Sequence, residues 1–382
     1  MTTLREKPER RKAMNNKAPH IIISGGGTGG HVFPAISIAD ALKHLRPDAR
    51  ILFVGARGRM EMKKVPEAGY SIIGLPVAGI QRRLTWKNLL VPFKLLRSMR
   101  RSRRIIKDFK PDVVVGVGGY ASGPVMRVAG RRGIPLLIQE QNSYAGVTNR
   151  ILASKASSIC VAYEGMDRYF PAEKIKITGN PLRKTLIPGP GKREEALQHF
   201  NLSPDEKTLL VIGGSLGARS INESIMDHLE DFEKKKIQLI WQSGRHYHQQ
   251  AMQAMSHLSL PHIRLRDFVE RMDLAYAAAD VIVSRAGAGT ISELALIKKP
   301  VILVPSPNVA EDHQTRNARS LSDKNAAVLI QDEDARHLLV PKAFEILEDE
   351  YRARELAEHI AKIAKPDSAT DIAEEVLKLA QS

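Results

Sequence analysis

His31 closes the run Gly25-Gly26-Gly27-Thr28-Gly29-Gly30, and a second small-residue run, Arg285 to Thr290, leads to Glu293. Imidazole titrates near working pH, so His31 is a candidate general base or phosphate partner. Its plainer role is that of a helix-start histidine bonded to backbone. Glu293 follows Thr290 by three residues, the spacing of a capping box. The same carboxylate could accept from a vicinal diol such as a ribose, and the two roles are compatible. Asp312, His313, Gln314 and Asn317 crowd one stretch. Ser215 lies in a further glycine run, Gly213 to Ala218, a hydroxyl among backbone donors that suit phosphate. Ser220-x-x-Glu223 reads as another capping box. Asp332-Glu333-Asp334 spells D-x-D, a metal pattern elsewhere, but between an apolar run and a helical one it reads as an N-cap in a solvated loop.

Side chains this scattered need a scaffold that brings loops together. His20–Ser24 is an apolar run feeding the first glycine loop, and a helix is expected from about Phe33 to Leu45. Gly25, Gly27 and Gly30 match G-x-G-x-x-G in its required strand-to-helix context. A dinucleotide site would also want an acidic residue after the next strand, Ile51–Val54. There the chain reads Gly55-Ala56-Arg57, which disfavours NAD and leaves a thin case for NADP. Further strands are expected at Asp112–Val117, Ile134–Ile138, Ser158–Ala162 and Ile175–Thr178. The first of these ends in Gly118–Gly123, and the second ends beside Gln141, Asn142 and Tyr144. The stretch Ile187 to Glu195 reads as a linker, with two Pro and two Gly. Beyond it the pattern restarts: strands at Thr208–Ile212, Ile237–Trp241, His262–Leu265, Val281–Ser284, Val301–Val304 and Ala326–Ile330, with helices between. The expectation is an α/β protein with two parallel-sheet domains facing a cleft. Residues 20–183 form the first, joined by a returning helix in 366–382; 184–365 form the second.

Composition narrows the function classes. The chain has 382 residues, 43% hydrophobic and 26% charged, enough for two domains with full cores. Its single cysteine, Cys160, excludes an internal disulfide framework and fits a reducing compartment. Residues 1–19 are polar and basic with no apolar core, which reads as a disordered tail and not a secretory signal. No run approaches the roughly 18 apolar residues of a membrane span. The net charge of +16 fits nucleic acid, an anionic membrane surface or phosphorylated substrates. Without a nucleic-acid-binding signature, and with aromatics at 5%, nucleic acid is disfavoured. Segment 79–110 favours the membrane surface: Trp86, Leu89, Leu90 and Phe93 lie among arginines and lysines, with Asp108 the only acid.

Several stretches, in order, resemble the MurG family of GT-B glycosyltransferases: GGGTGGHVFPA, GGYASGP, QEQNSYAG, GNPLR, GGSLGA, SRAGAGTISE and EDHQTRNA. The resemblance spans about residues 20 to 380. It implies a GT-B fold of two Rossmann-like domains, and transfer of N-acetylglucosamine (GlcNAc) from UDP-GlcNAc to lipid I, the undecaprenyl-diphosphate-linked muramoyl peptide. It implies inversion at the anomeric carbon, no metal and no cofactor, and work at the cytoplasmic face of the membrane. By the same resemblance Arg183 and Ser215 contact the donor diphosphate, and Val269 offers backbone to uracil. Ala288, Gly289 and Thr290 line the donor; Glu293 takes the ribose, and Gln314 the sugar hydroxyls. Thr28, Gly29, Gly30 and Asn142 close on donor and acceptor. His31 deprotonates the acceptor C4 hydroxyl, with Tyr144 on the acceptor rim. Gly289 departs from a larger apolar residue and His313 from a frequent Gln, leaving the sugar contacts open between His313 and Gln314. The rival readings are another GT-B UDP-sugar transferase with a lipid acceptor, an NADP oxidoreductase resting on Gly25–Gly30 and Arg57, and a membrane adaptor resting on 79–110.

Overall fold

The computed structural model describes residues 17–77, 91–182, 189, 191–214, 216–309 and 312–381. Two parallel sheets form because the chain alternates short, mostly apolar runs with helical ones, and a central parallel strand is covered on both faces. The first sheet has the order β3-β2-β1-β4-β5-β6-β7. Its strands are β1 (His20–Ser24), β2 (Arg50–Ala56), β3 (Ser71–Leu75), β4 (Val113–Gly116), β5 (Leu136–Glu140), β6 (Ser158–Val161) and β7 (Ile175–Ile177). The second has the order β10-β9-β8-β11-β12-β13. Its strands are β8 (Thr208–Ile212), β9 (Gln238–Gln242), β10 (Ile263–Arg266), β11 (Val281–Ser284), β12 (Val301–Leu303) and β13 (Val328–Leu329).

Strand β3 was not expected from the sequence: Ser71-Ile72-Ile73-Gly74-Leu75 is half-exposed at the sheet edge, so its pattern is weak. Strand β5 runs two residues beyond the expected Ile138, because Gln139 and Glu140 pair with Cys160 and Val161 of β6. The expected linker is partly helical, Lys192 already belonging to the Lys192–Phe200 helix.

Five helices of the first half matter below: α1 (Gly29–Leu45), α2 (Glu61–Glu67), α3 (Val91–Phe109), α4 (Ser122–Gly130) and α5 (Val147–Leu152). The last helix, Ser368–Ala380, returns to the first sheet, where Ile372, Ala373 and Val376 share a core with Ile36 and Ala39 of α1.

In both sheets the chain order reverses at one place, between β1 and β4 and between β8 and β11. Loops leaving the carboxyl ends of those neighbours go to opposite faces and open a crevice, the usual ligand seat of such sheets. The first two glycine runs meet there. A Cβ on Gly119, whose φ is +82°, would stand 2.4 Å from the Gly26 carbonyl oxygen, so only glycine permits this approach.

Candidate active site

The first glycine loop is fastened from below by Glu61, at the start of α2 and only 1% exposed. Its Oε2 accepts the Gly27 N–H at 2.9 Å and its Oε1 the Ala56 N–H at 2.8 Å. The carboxylate thus ties the loop after β1 to the end of β2. It packs against Gly26, so the glycine run on which the NADP reading rests is held from beneath by a side chain of the same domain. Arg57, the other support of that reading, donates from Nε to the Gly74 carbonyl at 3.2 Å.

Above the loop, Thr28 is the N-cap residue of α1, and its Oγ1 lies 3.2 Å from His31 Nδ1. The imidazole rests on Gly118: a Cβ there would be 2.9 Å from both Cδ2 and Nε2. Burial lowers the His31 pKa from 6.5 to about 4, opposed by the Glu61 charge and the Gly26 carbonyl and aided by nearby His313. His31 is therefore neutral at physiological pH, the state a general base requires. Gly29 and Gly30 form the first turn of α1.

Beside His31, Asn149 of α5 donates its Nδ2 at 2.8 Å to Glu140, the last residue of β5. Glu140 is buried and also accepts the N–H groups of Asn142 (3.2 Å) and Gly146 (3.0 Å). Burial pushes its carboxyl pKa up, and these donors oppose the shift. One carboxylate thereby shapes the whole 141–146 loop that carries Asn142 and Tyr144.

In the second half, the third glycine loop, Arg285, Gln314 and Asp332 line a cavity of about 750 Å³. Gln314 accepts the Ser306 N–H at 2.9 Å. Arg285 spans the ends of β11 and β12, donating to the Val304 and Pro305 carbonyls at 3.1 and 3.0 Å and to Asp332. Ser220 donates to the same Asp332 oxygen. Asp332 is therefore an ion-paired strut, not part of a solvated loop, and Asp334 makes no side-chain cap. Among the described residues no three of His, Cys, Asp and Glu are grouped to hold a metal ion.

Both capping boxes are corrected by the helix starts. The Ala288–Ile297 helix is capped by Gly287 and the Arg219–Asp227 helix by Ala218, each without a side-chain cap. Thr290 and Ser220 already lie inside the helices, three and two positions too late to cap. Glu293 instead accepts from the Tyr276 hydroxyl at 3.2 Å. Glu223 pairs with Arg219 at 3.0 Å. Ala288 and Gly289 form the first turn of their helix, and a Cβ on Gly289 would meet nothing within 4 Å. Val269 is buried, and its N–H goes to Gln242 Oε1 at 3.0 Å, so a base there would be left the carbonyl. Arg183 and Ser215 lie outside the described residues, as do Trp86, Leu89 and Leu90.

The halves are stitched together at the cleft floor. Asn317, fully buried, accepts from both the N–H (3.1 Å) and the hydroxyl (2.9 Å) of Ser143. Asn180 donates to the Ala288 carbonyl at 3.3 Å and to Ser292 at 3.0 Å. The sequence reading assigned no role to Glu61, Glu140, Asn180 or Arg285. A carboxylate just past the apolar run Leu136-Leu137-Ile138 was a signal for Glu140; for Glu61, in the polar run Arg57-Gly58-Arg59-Met60-Glu61, there was none.

A model of the glycosyltransferase family 28 N-terminal domain matches residues 21–161, and one of the family's C-terminal domain matches residues 208–376. The chain belongs to glycosyltransferase family 28. Relatives in the family include the UDP-N-acetylglucosamine–N-acetylmuramyl-(pentapeptide) pyrophosphoryl-undecaprenol N-acetylglucosamine transferase of Bacteroides fragilis, 56% identical over 375 residues, 98% of this chain and 99% of the relative. The enzyme of the same name from Phocaeicola vulgatus is 57% identical over 361 residues, 94% of this chain and 96% of the relative. Among solved structures, the crystal structure of Acinetobacter baumannii MurG superposes with a TM-score of 0.77 at 29% identity, covering 94% of this chain and 99% of that one. A UDP-GlcNAc 2-epimerase from Neisseria meningitidis shares the fold at a TM-score of 0.65 and 14% identity, covering 94% of this chain and all of the other. The GT-B fold expected from the motifs is thus the fold of this family 28 member.

Proposed function

We infer that this chain transfers GlcNAc from UDP-GlcNAc to the C4 hydroxyl of the muramoyl sugar in N-acetylmuramyl-(pentapeptide) pyrophosphoryl-undecaprenol. The observation that carries the reading is identity above half, over nearly the whole chain, to transferases of that name. The site chemistry agrees with it. Neutral His31 takes the proton of the attacking hydroxyl, and the attack inverts the anomeric carbon as UDP leaves from the opposite face. Charge growing on the leaving diphosphate meets the first-turn N–H groups of the Arg219–Asp227 and Ala288–Ile297 helices, which are already oriented. Transfer of label from UDP-GlcNAc to a short-chain analogue of the lipid acceptor tests the reading. Absence of transfer by folded protein rejects it.

Glu293 sits one turn into the donor-side helix and accepts from the Tyr276 hydroxyl, and we assign its carboxylate to the donor ribose. Glu293→Gln is expected to weaken UDP-GlcNAc binding by about 1–3 kcal/mol, the range for hydrogen bonds to a charged group. Calorimetric titration beside a thermal melt separates this from a stability effect alone. With Asp332 held by Arg285 and Ser220, turnover is expected to persist in EDTA; loss restored by magnesium would contradict that.

Among the described residues no helix is long and apolar enough to cross a membrane. The start of α3 supports docking on the cytoplasmic face instead. Phe93, Leu95 and Leu96 are 72%, 48% and 52% exposed, while Ser98, Ser102, Ile105 and Ile106 turn inward. Lys94, Arg97, Arg100, Arg103 and Arg104 are exposed on the same helix, each cation worth about 1 kcal/mol near an anionic leaflet. Replacing Phe93 and Leu96 by Ser and Arg100, Arg103 and Arg104 by Gln should abolish co-sedimentation with anionic vesicles and spare donor binding. Salt should act like the charge changes, since the attraction is screened within a Debye length.

A further inference from the structure

At the open end of the 141–146 loop, three arginines from three separate elements gather on two tyrosines. Tyr144 and Tyr169 meet edge to face with centroids 5.1 Å apart. The Arg316 guanidinium lies 4.4 Å over Tyr144, and those of Arg168 and Arg150 lie 5.1 and 5.7 Å over Tyr169. Arg168 is further anchored by a bond to the Ser143 carbonyl at 3.3 Å. All three arginines are exposed, and none makes an ion pair with a carboxylate among the described residues. Asp167, next to Arg168, is not within ion-pair distance of any of them.

Three like charges brought this close repel one another. Ring faces offset part of that cost and hold each guanidinium plane in place, with its outer N–H groups toward solvent. Such a set of donors matches oxyanions, above all carboxylates, which accept two parallel N–H bonds. The set is also tied to the reacting centre. Arg150 follows Asn149, whose amide lies beside Gly118 and so beside His31; Arg316 precedes Asn317, which binds Ser143 across the cleft. Two of the arginines come from the first half of the chain and one from the second, so the set is complete only when the halves are joined as here.

We propose that Arg150, Arg168 and Arg316 form a subsite for the carboxylates of the acceptor's peptide. The proposal rests on the acceptor reading above. On a muramoyl ring the peptide-bearing lactyl group is at C3, next to the C4 hydroxyl, while the diphosphate is across the ring at C1. Cations carried on the elements that flank the base therefore reach the peptide before the diphosphate.

The test compares three soluble acceptor analogues: one with the pentapeptide, one with its peptide carboxylates amidated, and one with no peptide. In the Arg150→Gln, Arg168→Gln, Arg316→Gln variant, KM for the first is expected to rise about 10–100-fold, as for loss of charge-assisted bonds. KM for UDP-GlcNAc should stay unchanged. Wild-type protein should show the same rise on the amidated acceptor, with no further loss in the variant. Should the triple variant melt early, Arg150→Gln alone, which removes no hydrogen bond, carries the comparison. An unchanged acceptor KM in folded variant would overturn the proposal. So would an equal rise on the peptide-free acceptor, which would assign the arginines to the diphosphate. Failure of the wild-type protein on all three acceptors would instead reject the acceptor reading, and needs no variant to be seen.

Discussion

His31→Ala is expected to lower kcat by about 10²–10⁴-fold, the usual contribution of a positioned base, with UDP-GlcNAc affinity close to wild type. The reason is geometric. The imidazole lies on Gly118 on the first sheet's side of the cleft, whereas the donor cavity is built from the second half. The pH profile gives an independent check. A base whose pKa is lowered from 6.5 to about 4 stays deprotonated through most of the acid range, so kcat/KM should hold down to about pH 5. A limb centred near 6.5 would mean that the catalytic base is another group. Stability carries the opposite signature. Between pH 6.5 and about 4 the unfolded chain binds a proton at His31 and the folded chain does not, so stability falls as pH falls through that window. The melting temperature of His31→Gln should be less sensitive to pH there.

Glu61→Ala is the substitution expected to cost most in stability away from the apolar cores. It strands the Ala56 N–H in a buried site and releases that of Gly27, which lies at the surface. The unsatisfied Ala56 group costs about 1–3 kcal/mol, and the Gly27 group, which water can reach, adds less. Glu61→Gln is the sharper experiment. An amide can accept from one of the two N–H groups but must turn its own NH₂ toward the other. It should melt above the alanine variant yet below wild type, and lose activity because the loop that carries Thr28 and His31 is no longer clamped. Removing the charge also removes the main influence opposing burial at His31, so its pKa should fall further. Chemical denaturation reads the first effect, and titration of the His31 ring signal by NMR the second. Wild-type stability in Glu61→Gln would show that the carboxylate is not the clamp.

Much of the architecture was legible in residue order. Apolar runs such as Val113-Val114-Val115 and Val281-Ile282-Val283 can only be strands covered on both faces, and each is followed by glycine or small residues and then a helical pattern. Two such series separated by a Pro- and Gly-containing stretch specify two parallel sheets whose loops face a cleft. The position of His31 just past a glycine loop made it a candidate before any coordinates. The edge strand β3 was not legible, because half-exposed residues carry too little periodicity.

The wiring between those elements was decided by tertiary structure. Whether Thr290 and Glu293 form a capping box depends on where the helix starts, and one turn of backbone rules the box out. Asp332 read as loop because its partner, Arg285, lies 47 residues away. Glu61 and Gly27 are 34 apart, and Ser143 and Asn317 are 174 apart. Spacing rules register neighbours along one helix or strand, over a few residues. A buried carboxylate finds its donors through the sheet order, which brings the end of β2 beside the loop after β1. That adjacency is a property of the folded sheets, and no local pattern of residues encodes it.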